Sequence, residues 1–171
     1  MADYTAMDAY RDIFRWRLRT GNANLMFNDS PTHATVLIAE LLQCAQNDVW
    51  IFCRELGEDV WCTESVLAAL DVAILNKVSF HVLVQKIPSE TNRALVKLTN
   101  AKIEVKMARC NSKANFVVAD GRAYRFEEDS SVRKGFACAN DATNATKLVE
   151  AFNNLSKDAI PLNMSSEELP E

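Results

Sequence analysis

Glycine is scarce in this chain, at four in 171 residues. That scarcity excludes the Gly-rich turns that cradle phosphates. There is no Gly-x-x-x-x-Gly-Lys-Ser/Thr loop and no dinucleotide turn. A Gly-x-Ser-x-Gly nucleophile elbow is missing as well. Histidine is rarer still, with only His33 and His81. No His, Cys or carboxylate pair shows a metal-ligand spacing, so neither a metal nor a cofactor is expected. The five cysteines (Cys44, Cys53, Cys62, Cys110, Cys138) are odd in number and scattered, without a Cys-x-x-Cys pair. Cys44, Cys53 and Cys138 lie in or beside apolar runs, where a thiol behaves as a small hydrophobe. Free, reduced thiols and a cytoplasmic location are the expectation. The apolar runs are far shorter than the roughly 20 residues that span a bilayer. The start, Met1-Ala2-Asp3-Tyr4, lacks the basic-then-apolar order of a secretory signal. No membrane association is expected.

What is present is ordinary globular material, 49% hydrophobic and 25% charged, enough for one domain with a real core. A net charge of −4 argues against gripping nucleic acid over the whole surface. A local basic patch keeps nucleic acid open as a partner. One domain is expected over residues 1–160, followed by an acidic, mobile tail over 161–171.

Periodicity sets out the elements. Residues 4–19 form an amphipathic helix with Met7, Tyr10, Phe14 and Leu18 on one face and Arg11, Arg15 and Arg19 on another. The arginine stripe is a solvated face first, with a partner or nucleic-acid surface as its functional alternative. Leu25 to Phe27 is a short strand, and Ser30 and Pro31 open a helix running from Thr32 to Gln46. Val49 to Cys53 is a continuous apolar run, as in a buried parallel strand. A loop over Gly57–Thr63 leads to a helix over Glu64–Asn76 and a second buried strand over Val78–Val84. Ser89 is expected to cap a helix to about Leu98, and Lys102–Met107 alternates like a strand near an edge. Phe116–Ala119 and Ala123–Phe126 flank Asp120-Gly121, a hairpin signal. Phe136–Ala139 reads as a further short strand, and Asp141 caps a last helix over Ala142–Ala159. The fold class is therefore α/β, with a mostly parallel central sheet, helices on both faces and one C-terminal hairpin.

The stretch from Lys113 to Glu127 carries the most chemical information. It resembles the active-site strand of the phospholipase-D superfamily, in which a His-x-Lys pair precedes an apolar strand ending at an Asp before a turn. In that family the His attacks phosphorus, the Lys pairs with phosphate oxygens, and the Asp has a supporting role. Residues two apart on a strand share a face, which suits the first two tasks. Two copies of the motif, from two halves or two subunits, meet at one site. Here Lys113 stands at the His position, Asn115 at the Lys position, and Asp120 matches the Asp. The resemblance extends over roughly residues 24–159. Ala34–Arg54 is similar to the family's first helix and strand, Glu64–Val84 to the second, and Ala142–Ala159 to the closing helix.

The resemblance implies a fold without the family's nucleophile. A lysine, ordinarily protonated up to a pKa of about 10.4, is a poor attacker at neutral pH, though it holds anions by charge. Lys113, Arg125 and Arg54 are candidates for an anion pocket, with Glu127 able to neutralise part of its charge. Arg122, at the hairpin tip, is read as solvated, and Arg109 lies near the motif in sequence. Three functional readings follow. One is a non-catalytic phospholipase-D-like module that forms a homodimer and binds a protein partner or a phosphate-bearing ligand. Another is a phosphodiesterase or nuclease with altered residues, its nucleophile drawn from Ser112, Cys110 or His81 and its base from Asp120, Glu127 or a metal. The third is an accessory regulatory protein of a mobile element. His33, His81, Trp50 and Trp61 each read first as packing or capping residues.

Overall fold

The structure, a computed structural model, describes residues 5–162. Helix α1 (Ala6–Thr20) starts at Thr5, whose side chain and backbone exchange hydrogen bonds with Asp8, and stops at Gly21 in the left-handed region (φ 69°). Strand β1 (Met26–Asn28) follows, then α2 (Pro31–Cys44). The Ser30 hydroxyl caps α2 by accepting from the His33 N–H. Next come β2 (Asp48–Cys53), the single turn α3 (Glu58–Trp61), α4 (Glu64–Leu75) and β3 (Ser79–Val84). The chain continues through α5 (Arg93–Asn100), β4 (Val105–Met107), β5 (Asn115–Ala119), β6 (Ala123–Asp129) and β7 (Lys134–Cys138). Helix α6 (Ala142–Ser156) and the short strand β8 (Ile160–Pro161) complete it.

The eight strands of the described residues join one sheet in the order β1-β7-β6-β5-β2-β3-β4-β8. The expectation of a mostly parallel sheet is corrected. Only β2–β3 and β3–β4 are parallel, whereas five pairings are antiparallel. The cause lies in the connections. Helices carry the chain over one face between β2, β3 and β4, but β5, β6 and β7 are joined by tight turns, which force antiparallel neighbours. The expected single hairpin is thus a three-stranded meander, to which β1 adds as an antiparallel edge.

The strands alternate their side chains between two cores. Val49, Ile51, Val82, Val84, Val117 and Ala119 face α1 to α5, packing on Phe14, Leu37, Leu41, Leu67 and Leu98. Phe52, Leu83, Phe116, Val118 and Tyr124 face the other way, toward α6 and its Phe152. Helices therefore do cover both faces, unequally.

Smaller expectations also shift. The segment 57–63 holds the helical turn α3. Asn92, not Ser89, caps α5: its side chain accepts from the Leu95 N–H and donates to the Leu56 carbonyl. Ser89 instead stabilises the preceding turn through the Thr91 N–H. The fold also runs past residue 160. Met107 pairs with Ile160 and Lys106 with Pro161, so the start of the expected tail lies at the sheet's edge, and the rest, 163–171, falls outside the described residues. No helix among the described residues is long and apolar enough to cross a membrane. None of the five cysteines is in a disulfide.

Candidate functional site

Strands β2 and β3 run parallel, so their carboxyl ends come out side by side. In open α/β sheets this is where ligands bind. The residues that leave those ends are Arg54 and Lys86, tied together by a hydrogen bond from the Lys86 N–H to the Arg54 carbonyl at 2.7 Å. Both side chains open onto a cavity of about 400 Å³ on the α1–α5 side of the sheet. Its floor is built by β5 and β6: Asn115, Arg125 and Glu127. The first turn of α2 contributes Ser30, Pro31 and Ala34, bringing a helix's positive end to one wall. Asp59 and Arg133, from α3 and the β6–β7 turn, form another wall and pair with each other at 2.8 Å.

The floor is a buried polar row in the middle of a hydrophobic sheet. Arg125 is 4% exposed and Glu127 is 7% exposed. Arg125 Nη2 lies 3.5 Å from Glu127 Oε2. The Asn115 Nδ2 donates to the same oxygen at 3.1 Å, and Asn115 Oδ1 accepts from the Arg54 N–H at 3.0 Å. Burial lowers the pKa of Arg125 below the usual arginine value, with Glu127 opposing that shift. Its Nε has no hydrogen-bond partner among the described residues. Gly135 lies opposite Glu127 in the β6–β7 ladder and opposite Asn28 in the β1–β7 ladder. A Cβ at Gly135 would stand 2.6 Å from the Phe126 carbonyl oxygen, so the close strand contact there requires glycine. Asn28 is itself buried, with both amide atoms unpartnered among the described residues.

Of the sequence candidates, Arg54, Asn115, Arg125 and Glu127 line this one cavity. Lys113 does not. It sits just before β5, its side chain is 73% exposed, and its ammonium reaches Asp129 at 3.3 Å. Asp120 is also elsewhere, at the far end of β5 in the β5–β6 turn. Its carboxylate accepts from the N–H groups of Gln46, Asn47 and Asp48 at 2.7–3.2 Å, tying the entry to β2 onto the hairpin. That supporting role removes it as a base for the cavity.

The alternative nucleophiles are absent from the cavity too. His81 is on the opposite face, stacked on Trp50 with centroids 3.7 Å apart, and burial lowers its pKa. Cys110 packs in the α6-side core. The Ser112 hydroxyl is occupied in accepting from the Ala114 N–H. His33 contacts Asp29 and Ser30 beside Tyr10, and Trp61 is core. Arg122 reaches the Leu18 carbonyl, and Arg15 forks onto the buried carboxylate of Glu40. Among the described residues no cluster of three or more His, Cys, Asp or Glu side chains is placed to hold a metal ion.

Sequence reasoning missed Lys86, Arg133 and Glu55. Lys86 carried a usable signal, since it follows the apolar run of β3 at nearly the same distance as Arg54 follows that of β2. Arg133 and Glu55 carried none, being set by a turn and a loop.

No protein-family model matches the chain, and no curated protein matches its sequence. Solved structures do. Nuc of Salmonella typhimurium, a phospholipase D family member, superposes with a TM-score of 0.61 at 9% identity, covering 82% of this chain and 97% of that one. The fold is phospholipase-D-like. TrmBL2, an archaeal chromatin protein described as showing a novel mode of DNA binding, gives a TM-score of 0.64 at 13% identity, over 90% of this chain and 62% of its own. Phosphatidylserine synthase of Haemophilus influenzae Rd KW20 gives 0.58 at 13% identity, over 91% of this chain and 44% of its own. At these identities the likeness is one of fold. This phospholipase-D-like sheet accordingly shares its architecture with proteins whose names describe different activities.

Proposed function

We propose that the chain is a non-catalytic phospholipase-D-like module that holds a phosphate-bearing ligand in the cavity at the ends of β2 and β3, and that it self-associates. The observation that carries the reading is the pair Arg54 and Lys86. They are adjacent and border the cavity, and neither has an ion-pair partner among the described residues. Two cations lining one cavity beside a helix N-terminus favour a phosphate group. The absence of catalysis is supported by the lining, which holds no histidine and no cysteine among the described residues, and by the outward turn of Lys113.

Self-association is supported by the uneven cover of the sheet. Helix α6 packs over β2, β5 and β6. Beyond it lies an apolar hollow of about 720 Å³ lined by Tyr124, Phe126, Phe136 and Leu148. Phe27, on the edge strand β1 beside it, is 72% exposed. An apolar face of this kind on a single half-fold suits an isologous contact with a second copy.

The test is calorimetric titration of the purified protein with inorganic phosphate, alongside sizing with light scattering. Binding that falls about tenfold or more in an Arg54→Ala, Lys86→Ala double variant supports the reading, as does the mass of a dimer. Hydrolysis of a bis(nitrophenyl) phosphate by the wild type that the double variant loses would replace it with an altered phosphodiesterase. A monomeric mass would remove self-association.

A further inference from the structure

The cavity is not a plain anion hole, because carboxylates line it together with the cations. Within it, Arg133 pairs with Asp59 at 2.8 Å and Arg125 with Glu127 at 3.5 Å. Those four charges cancel in place. Arg54, Lys86 and Glu55 remain, and none of them has an ion-pair partner among the described residues. A site for a bare phosphate gains nothing from an unneutralised carboxylate beside the bound anion. A ligand that carries hydroxyl groups as well does gain, because a carboxylate is an acceptor-only group suited to O–H donors.

The floor repeats this mixture at closer range. Both contacts to Glu127, from Asn115 and Arg125, fall on Oε2 and leave Oε1 without either. Arg125 Nε is a buried donor with no partner among the described residues. Ser130 adds a hydroxyl at the turn between β6 and β7. Donors and acceptors thus alternate across the floor, while the free positive charge stands at the strand ends.

Size and surface chemistry favour a small molecule over a polymer. The volume, about 400 Å³, suits a small molecule. Among the described residues no aromatic side chain lines the cavity, so a base finds no platform there on which to stack. Among the described residues the lining holds four cations against three carboxylates, whereas a groove tracking a nucleic-acid backbone is strongly positive.

Resting on the anion-binding reading above, we propose that the ligand is a small phosphorylated polyol, a sugar phosphate in chemical class. Its phosphate lies against Arg54 and Lys86, and its hydroxyls meet Glu55, Glu127 and Asn115.

The experiment is a set of calorimetric titrations of the full chain with inorganic phosphate, glucose 6-phosphate, ribose 5-phosphate, glucose and a 12-nucleotide single strand. At least one sugar phosphate is expected to bind about tenfold or more tightly than inorganic phosphate and than glucose, the gain of one or two well-placed hydrogen bonds. Glu55→Gln, at an exposed position that leaves the core untouched, is expected to bring the ratio of sugar-phosphate to phosphate affinity below about threefold. Equal binding of phosphate and the sugar phosphates would overturn this ligand class and leave the anion site standing. Failure of all of them to bind would overturn the anion site itself. Tightest binding by the oligonucleotide would overturn the small-molecule assignment.

Discussion

Asn115 and Glu127 face each other across the β5–β6 ladder, with the Asn115 Nδ2 donating to Glu127 Oε2 at 3.1 Å. The same amide's oxygen holds the Arg54 N–H. One side chain thus ties the buried floor to the residue that leaves β2. Replacing it by alanine removes both bonds and leaves Glu127 with only Arg125. Asn115→Ala is expected to lower stability by about 1–3 kcal/mol in urea denaturation. Weaker phosphate binding should accompany the loss, because the Arg54 backbone is released.

The Arg125–Glu127 pair should behave as a buried ion pair does. Glu127→Leu leaves a guanidinium that is 4% exposed without its countercharge, and a loss of about 3–5 kcal/mol is expected. The double variant Arg125→Met, Glu127→Leu removes both desolvated charges. It should recover most of the stability while abolishing the cavity's floor chemistry. Chemical denaturation of the three variants gives the coupling, and a double variant no more stable than Glu127→Leu would contradict it.

Asp120 combines a left-handed backbone (φ 52°) with three accepted N–H bonds. These two features separate by substitution. Asp120→Asn keeps an acceptor and tolerates the backbone, so it should be mildest. Asp120→Gly keeps only the backbone freedom, and Asp120→Ala keeps neither. Alanine is expected to cost about 1–2 kcal/mol more than glycine. Because this turn is at the end of β5 away from the cavity, phosphate affinity should be unchanged in whichever variants fold.

Alkali should destabilise the fold from pH 9 upward. Burial raises the Cys53 thiol from 9.0 to about 12, and raises Cys44 similarly, with Asp120 adding to the effect. In the folded state the thiols stay protonated while the unfolded chain ionises near pH 9. The contribution is therefore fully present below pH 9 and is lost as pH rises toward about 12. For the fully buried Cys53 the slope approaches about 1.4 kcal/mol per pH unit within that window. Urea midpoints at pH 8, 9 and 10 measure it, and Cys53→Val should flatten the decline.

Much of this was legible in the chain. The apolar runs at Val49–Cys53 and Val78–Val84 identified the two parallel strands, and Asp120-Gly121 identified the hairpin. The sheet's overall sense was not legible. A short strand such as β7 reads the same whether its neighbour is parallel or not, and only the tight β6–β7 turn decides it. At the site, Asn115, Arg125 and Glu127 were legible because strand alternation places them on one face of β5 and β6, whereas Arg54 lies one residue past the end of β2, where its charge beside an apolar run was the signal. Lys113 was misplaced by the alternation rule, which holds only inside a strand. The chain enters β5 at Asn115, so two residues earlier the alternation has no force and the side chain follows Asp129 into solvent.

The strand order also fixes a sequence of events in time. Met26 pairs with Ala137 and Asn28 with Gly135, so β1 has no partner until nearly the whole domain has left the ribosome. Synthesis delivers the β2–β3–β4 half first, and the N-terminal strand must wait for the last hairpin. A chain halted before β7 would leave β6 as an open sheet edge, free to pair with another nascent molecule instead of with its own beginning.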